Sequence, residues 1–165
     1  MERREFLQIA AGAGAVLATG QAWAASRRGA AYFALHPFVE AHPEAVFVLR
    51  THVADRKDTD AKQSIGRTLA RQLFSLQRRT GIPLSSKIAI KPNLTSNCRS
   101  GDTYAIITDR EFVGGMVDGM TQTGFSASRI YVRDGIGTNQ PDTKYQDMAE
   151  RAGVHYDDPA DRETI

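Results

Sequence analysis

The spacing of apolar positions divides the chain into short β-type runs alternating with longer stretches of helical period. Ala45-Val46-Phe47-Val48-Leu49-Arg50-Thr51 is almost continuously apolar, as parallel strands are when both faces are covered, and it predicts the first strand. Asp60 with Gln63 then predicts a helix start, and Ile65, Leu69, Leu73 and Leu76 recur at helical spacing up to Gly81. Arg67, Arg71 and Arg78 fall on another side of that helix and read as a solvated face. The second strand lies within Lys87 to Leu94, led in by Gly81-Ile82-Pro83-Leu84; Ile88 and Ile90 alternate, and Pro92 ends the ladder because it has no N–H to donate. Thr95 to Ile107 is a polar stretch, long for a strand-to-helix connection.

Thr108-Asp109-Arg110-Glu111 has the form of a capping box and predicts a second helix, with Phe112, Val113, Met116, Val117 and Met120 as its apolar stripe and Gly124 as its stop. Three internal glycines, Gly114, Gly115 and Gly119, each cost roughly 1 kcal/mol of helix propensity relative to alanine, which points to close packing against a sheet. Arg129 to Asp134 predicts a third strand that runs into Asp134-Gly135-Ile136-Gly137-Thr138-Asn139. Thr143 with Gln146 predicts another capped helix ending at Gly153, and Val154-His155-Tyr156 begins a fourth strand.

Three strand–helix alternations of this kind predict an α/β layered domain over residues 45–165, with a largely parallel sheet flanked by helices. Ala25 to Glu44 shows no clear period and reads as a surface lead-in. Residues 1–24 have a different character. Arg3-Arg4 precede Phe6-Leu7, a Gly/Ala-rich apolar stretch and the small-x-small sequence Ala22-Trp23-Ala24, which together predict a twin-arginine export signal. That signal implies the twin-arginine machinery as a partner, a periplasmic location and no stable membrane span after cleavage. Gly12-Ala13-Gly14 is not a dinucleotide fingerprint, because no strand precedes it.

Composition narrows the chemistry. The 165 residues are 41% hydrophobic and 24% charged, as in an ordinary globular domain, and the net charge of +2 is too small to imply a nucleic-acid partner. A single cysteine, Cys98, cannot form an internal disulfide or by itself hold an iron–sulfur cluster or a structural zinc site. His36, His42 and His52 contain no i, i+2 or i, i+4 pair and read as ordinary histidines.

In parallel α/β sheets ligands bind outside the carboxyl ends of the strands, which places Lys91, Asn93, Asp134, Gly135 and Gly137 at one tip. A cation, an amide and a carboxylate there suit a small polar or anionic ligand. Lys91 would position an anionic group, Asn93 would hydrogen-bond it, and Asp134 would hold a metal or act as a base. The competing reading is a Lys91–Asp134 ion pair, with Asn93 bonding the turn. No particular cofactor follows from these residues, and they leave open whether the protein is a cofactor- or metal-dependent enzyme or a non-catalytic periplasmic binding module.

A strand ending Ile-Lys-Pro-Asn-Leu at 90–94, a helix opening at Thr108-Asp109 after a long loop, and a strand ending Asp134-Gly135 occur in that order. With the helix Tyr-Gln-Asp-Met-Ala-Glu-Arg-Ala-Gly at 145–153, the chain resembles the DUF362 family from about Ala45 to Tyr156. The resemblance implies an exported protein, since many members carry a twin-arginine signal, but no established reaction. Some members are fused to ferredoxin-type cluster domains, whose cysteines are missing here. The family's domain also continues well past the point corresponding to Ile165, so the expectation is a truncated or split member, for which a non-functional fragment is a further alternative.

Overall fold

The computed structural model describes Gly29 and residues 32–94, 107–134 and 143–157. The chain runs through β1 (Tyr32–Leu35), α1 (Pro37–Glu40), α2 (Thr59–Leu73), β2 (Phe74–Gln77), β3 (Ile82–Pro83) and β4 (Ile88–Ile90). It continues through α3 (Arg110–Thr123), a 3₁₀ turn, β5 (Ile130–Arg133), α4 (Tyr145–Ala152) and β6 (His155–Asp157). Helices and strands mix as expected of an α/β protein, but the described residues form no single largely parallel layer. Strands β4, β5 and β6 form a parallel sheet in the order β4-β5-β6, while β2-β1-β3 form a separate antiparallel sheet. None of the helices among the described residues is long and apolar enough to cross a membrane.

The antiparallel sheet overturns two expectations. The stretch 25–44, read as a loose surface lead-in, contains β1, which is the central strand of that sheet. Phe33 of β1 is buried, with its ring 5.0 Å from those of both Phe74 and Phe125. The helix expected to continue to Gly81 stops at Leu73, and Phe74 to Gln77 leave it as β2. Leu76 keeps helical spacing with Leu69 and Leu73, yet it pairs with Phe33 across the sheet, so strand pairing overrides the local period. Gly81 sits between β2 and β3 at φ +120°, and a Cβ there would lie 2.6 Å from the Phe33 carbonyl oxygen. Arg78 accordingly lies beyond β2 rather than on a helix.

The first predicted strand, Ala45 to Thr51, is also overturned. It belongs to neither sheet, and Val46 and Val48 remain 87% and 72% exposed. At its start α2 is capped by Asp58, whose Oδ1 accepts from the Ala61 N–H at 2.9 Å, rather than by Asp60. Helix α4 is entered through Lys144 in a left-handed conformation at φ 54°, with no side-chain cap. The Thr143–Gln146 capping box therefore does not form; Gln146 Nε2 donates instead to Glu150 Oε1 at 3.1 Å. The stops were as expected, since Gly124 and Gly153 both take up left-handed C-cap conformations.

The parallel sheet buries Ile130 and Val132 of β5 against helices, and Val113, Val117 and Met120 of α3 complete that core with Tyr145, Met148 and Ala149 of α4. The glycines of α3 are explained by helix packing rather than by the sheet. A Cβ on Gly115 would lie 2.0 Å from the Gln63 carbonyl oxygen of α2, and one on Gly119 would lie 2.6 Å from that of Arg67. From the other side, a Cβ on Gly66 of α2 would meet the Phe112 carbonyl oxygen at 2.1 Å. The two helices thus touch backbone to backbone at glycine. Gly114 faces α4 instead, where a Cβ would come 3.2 Å from Met148 Cγ, a side chain that can move.

Gly115→Ala is expected to lower the unfolding free energy by roughly 1–3 kcal/mol despite its better helix propensity, because neither backbone can yield without separating the helices. Gly114→Ala is expected to stay within about 1 kcal/mol of wild type, since propensity offsets the adjustment of Met148. Urea unfolding of the full chain checks both; equal stabilities for the two variants would remove the close helix contact from the account.

Candidate functional site

The site is built where β4 and β5 end. Parallel pairing sets Ile90 beside Val132, so the next residues of the two strands, Lys91 to Leu94 and Arg133-Asp134, leave the sheet together. Lys91 Nζ lies 2.9 Å from Asp134 Oδ1, and Asp134 Oδ2 accepts from the Leu94 N–H at 2.5 Å. Burial is very unequal. The Asp134 side chain is 7% exposed and that of Lys91 69%. A buried carboxylate thus holds the end of β4 through the main chain and holds a solvent-facing ammonium through one of its three N–H donors.

Asn93 takes part through its backbone. Its N–H donates to Thr108 Oγ1 at 2.9 Å, and its carbonyl accepts from the Thr108 N–H at 2.9 Å, while the side chain stays exposed. This reciprocal bridge ties the end of β4 to the entry of α3 and engages the Thr108 hydroxyl expected to cap that helix. Asp109 does the capping: its Oδ1 accepts from the N–H groups of Glu111 at 3.0 Å and Phe112 at 3.2 Å. A carboxylate suits the partial positive charge of a helix N-terminus better than a hydroxyl does. Asp109 Oδ2 also accepts from Lys62 Nζ of α2 at 2.7 Å. Glu111, expected to reach back to the cap, turns to Arg110 Nε at 3.2 Å and Arg151 Nη2 at 3.1 Å, where it lines a shallow cleft with Gln63, Gly114, Asp118 and Met148.

Tyr145 closes the tip from α4. Its Oη donates to the Thr108 carbonyl oxygen at 2.9 Å, and its ring lies wholly inside the core, 6.4 Å from that of Tyr156. Burial pushes the Tyr145 phenol far above its ordinary value, with nearby Asp109 and Tyr156 acting in the same direction. The hydroxyl is therefore a permanent donor at any physiological pH.

Of the residues expected at the tip, Lys91, Asn93 and Asp134 are brought together. Gly135 and Gly137 lie outside the described residues, as do Cys98 and the twin-arginine segment. Among the described residues no group of three or more His, Cys, Asp or Glu side chains could hold a metal ion. His36 and His42 have backbone roles, accepting from the Phe38 N–H and contacting the Phe38 carbonyl through Nδ1. Arg67 is not part of a solvated face: its Nη2 pairs with Asp118 Oδ2 of α3 at 3.0 Å, an oxygen that also accepts from Gln63. Lys62, Thr108 and Tyr145 were not legible as tip residues, because each arrives from a helix or loop whose docking no local pattern encodes.

Comparison with protein-family models, with curated proteins and with solved structures yields no match.

Tyr145→Phe is expected to cost about 1–2 kcal/mol at neutral pH, since it removes the donor from the Thr108 carbonyl. The pH dependence has a defined sign. A phenol whose folded pKa is raised stabilises the fold fully below the unfolded value of about 10, and that contribution is lost as pH climbs above it. Denaturation from pH 7 to 11 is therefore expected to show the wild type losing its margin over Tyr145→Phe above pH about 10; a constant margin would contradict the burial of the phenol.

Proposed function

We propose that this is an exported protein related to the DUF362 family that binds a small anionic ligand at the carboxyl ends of β4 and β5, with Lys91 as the principal contact. The observation that carries this reading is the unequal burial of the Lys91–Asp134 pair. Asp134 fixes the ammonium while leaving its remaining donors directed to solvent, at the sheet edge where parallel α/β proteins take their ligands. Lys91 also gives the buried Asp134 carboxylate a counter-charge, so the lysine serves the fold as well as the proposed site.

The same geometry weighs between catalytic and purely binding roles. Both Asp134 oxygens already accept, one from Lys91 and one from the Leu94 N–H, so the carboxylate serves to orient the lysine. A cation bound at Asp134 would displace the Lys91 ammonium, which favours an anion as ligand over a metal. Proton abstraction by Asp134 would require the same pair to open. The binding-module reading therefore fits the geometry more directly than the enzyme reading.

Native mass spectrometry of the full protein recovered from the periplasm of its own host tests the proposal. The expected result is wild-type chain carrying an additional small-molecule mass that is missing from Lys91→Ala, which still unfolds cooperatively in urea. A bare wild-type chain, or an adduct retained by Lys91→Ala, would reject the site. Export is tested separately: replacing Arg3 and Arg4 together by Lys is expected to leave the protein in the cytoplasmic fraction, and periplasmic recovery of that variant would contradict the signal.

A further inference from the structure

The run Glu44-Ala45-Val46-Phe47-Val48-Leu49-Arg50 has strand-forming composition but no strand partner among the described residues. Its β-branched and aromatic residues favour a pleated, paired conformation, yet among the described residues no backbone hydrogen bond involves the amides of Val46 to Arg50. Exposure alternates along it. Val46 and Val48 face solvent, whereas Phe47 and Leu49 are less exposed, and Phe47 is anchored with its ring 6.0 Å from that of Phe38. An unpaired run of this kind is a template for another strand.

Its charges select the partner. One acidic and one basic residue flank five apolar ones symmetrically about Phe47. Antiparallel pairing with the same run of a second copy, centred on Phe47, sets Glu44 opposite Arg50 at both ends and Val46 opposite Val48 twice between them. Parallel in-register pairing would instead place like charges opposite each other, which destabilises a sheet. Pro43 has no N–H, so the ladder cannot extend past Glu44.

We infer that residues 44–50 form a homodimer interface in which two copies join by an antiparallel two-stranded ribbon about a two-fold axis. Such an isologous contact uses the same patch on both subunits and closes at two. With so few residues on each side it buries less surface than a permanent dimer, so the association is weak and concentration-dependent.

Sedimentation equilibrium of the full chain from about 10 µM to about 1 mM tests this. The weight-average mass is expected to rise from monomer toward dimer and no further. Glu44→Arg and Arg50→Glu, both exposed sites, are each expected to weaken dimerisation roughly tenfold, because each turns two opposite-charge pairs into like-charge pairs. The double variant restores both pairs with reversed polarity and is expected to return to within about threefold of wild type. A monomer throughout, assembly beyond the dimer, single variants that dimerise as well as wild type, or a double variant no tighter than the singles would each overturn the inference.

Discussion

The rest of the structure depends on a contact in which side chains are absent. Gly66, Gly115 and Gly119 let α2 and α3 approach until main-chain atoms touch, closer than any larger residue would allow. Two polar links then fix the pair along its length, Arg67 with Asp118 and Lys62 with Asp109. Because α2 runs directly into β2 while α3 covers the parallel sheet, this contact couples the two sheets together with the Phe33–Phe125 ring contact. Among the described residues each sheet has three short strands, and both take their burial from helices and neighbouring segments packed on them.

The same contact positions the candidate site. Lys62 reaches Asp109 only because α2 lies so near α3, and Asp109, by capping α3, frees the Thr108 hydroxyl for Asn93. Tyr145 then secures Thr108 from below with a hydroxyl that burial keeps protonated. The tip that presents Lys91 is thus held by groups from α2, α3, α4 and both strands, although the lysine itself extends into solvent. A rigid support beneath an exposed, charged end would suit the proposed anion site, because the backbone needs no ordering first.

Elements set by local signals were legible in the sequence. Strands β4, β5 and β6 and helices α3 and α4 each combine a clear period with a stop, and the glycines after α3 and α4 act as expected. The antiparallel sheet was not legible. Tyr32-Phe33-Ala34-Leu35 is too short for its alternation to stand out, and the stripe of α2 runs on through Leu76, so only pairing between residues distant in sequence shows where the helix ends. Ala45 to Thr51 erred the other way, with strong strand propensity but no strand among the described residues to pair with. At the site, Lys91 and Asp134 could be placed together because parallel strands bring their carboxyl ends to one edge. The backbone role of Asn93 and the support from Lys62 and Tyr145 depend on helix docking, which no short pattern carries.

Lys91 and Asp134 form one ion pair but do different work. Without Asp134, the buried Leu94 N–H would lose its acceptor and the end of β4 its tie to β5, so the fold has its own use for the carboxylate. Lys91 supplies a counter-charge to that buried carboxylate, while its own side chain stays 69% exposed. Stability therefore accounts for the aspartate and for one of the three donors of the lysine. The proposed anion site rests on the remainder, an ammonium held at a strand end with its side chain mostly in solvent.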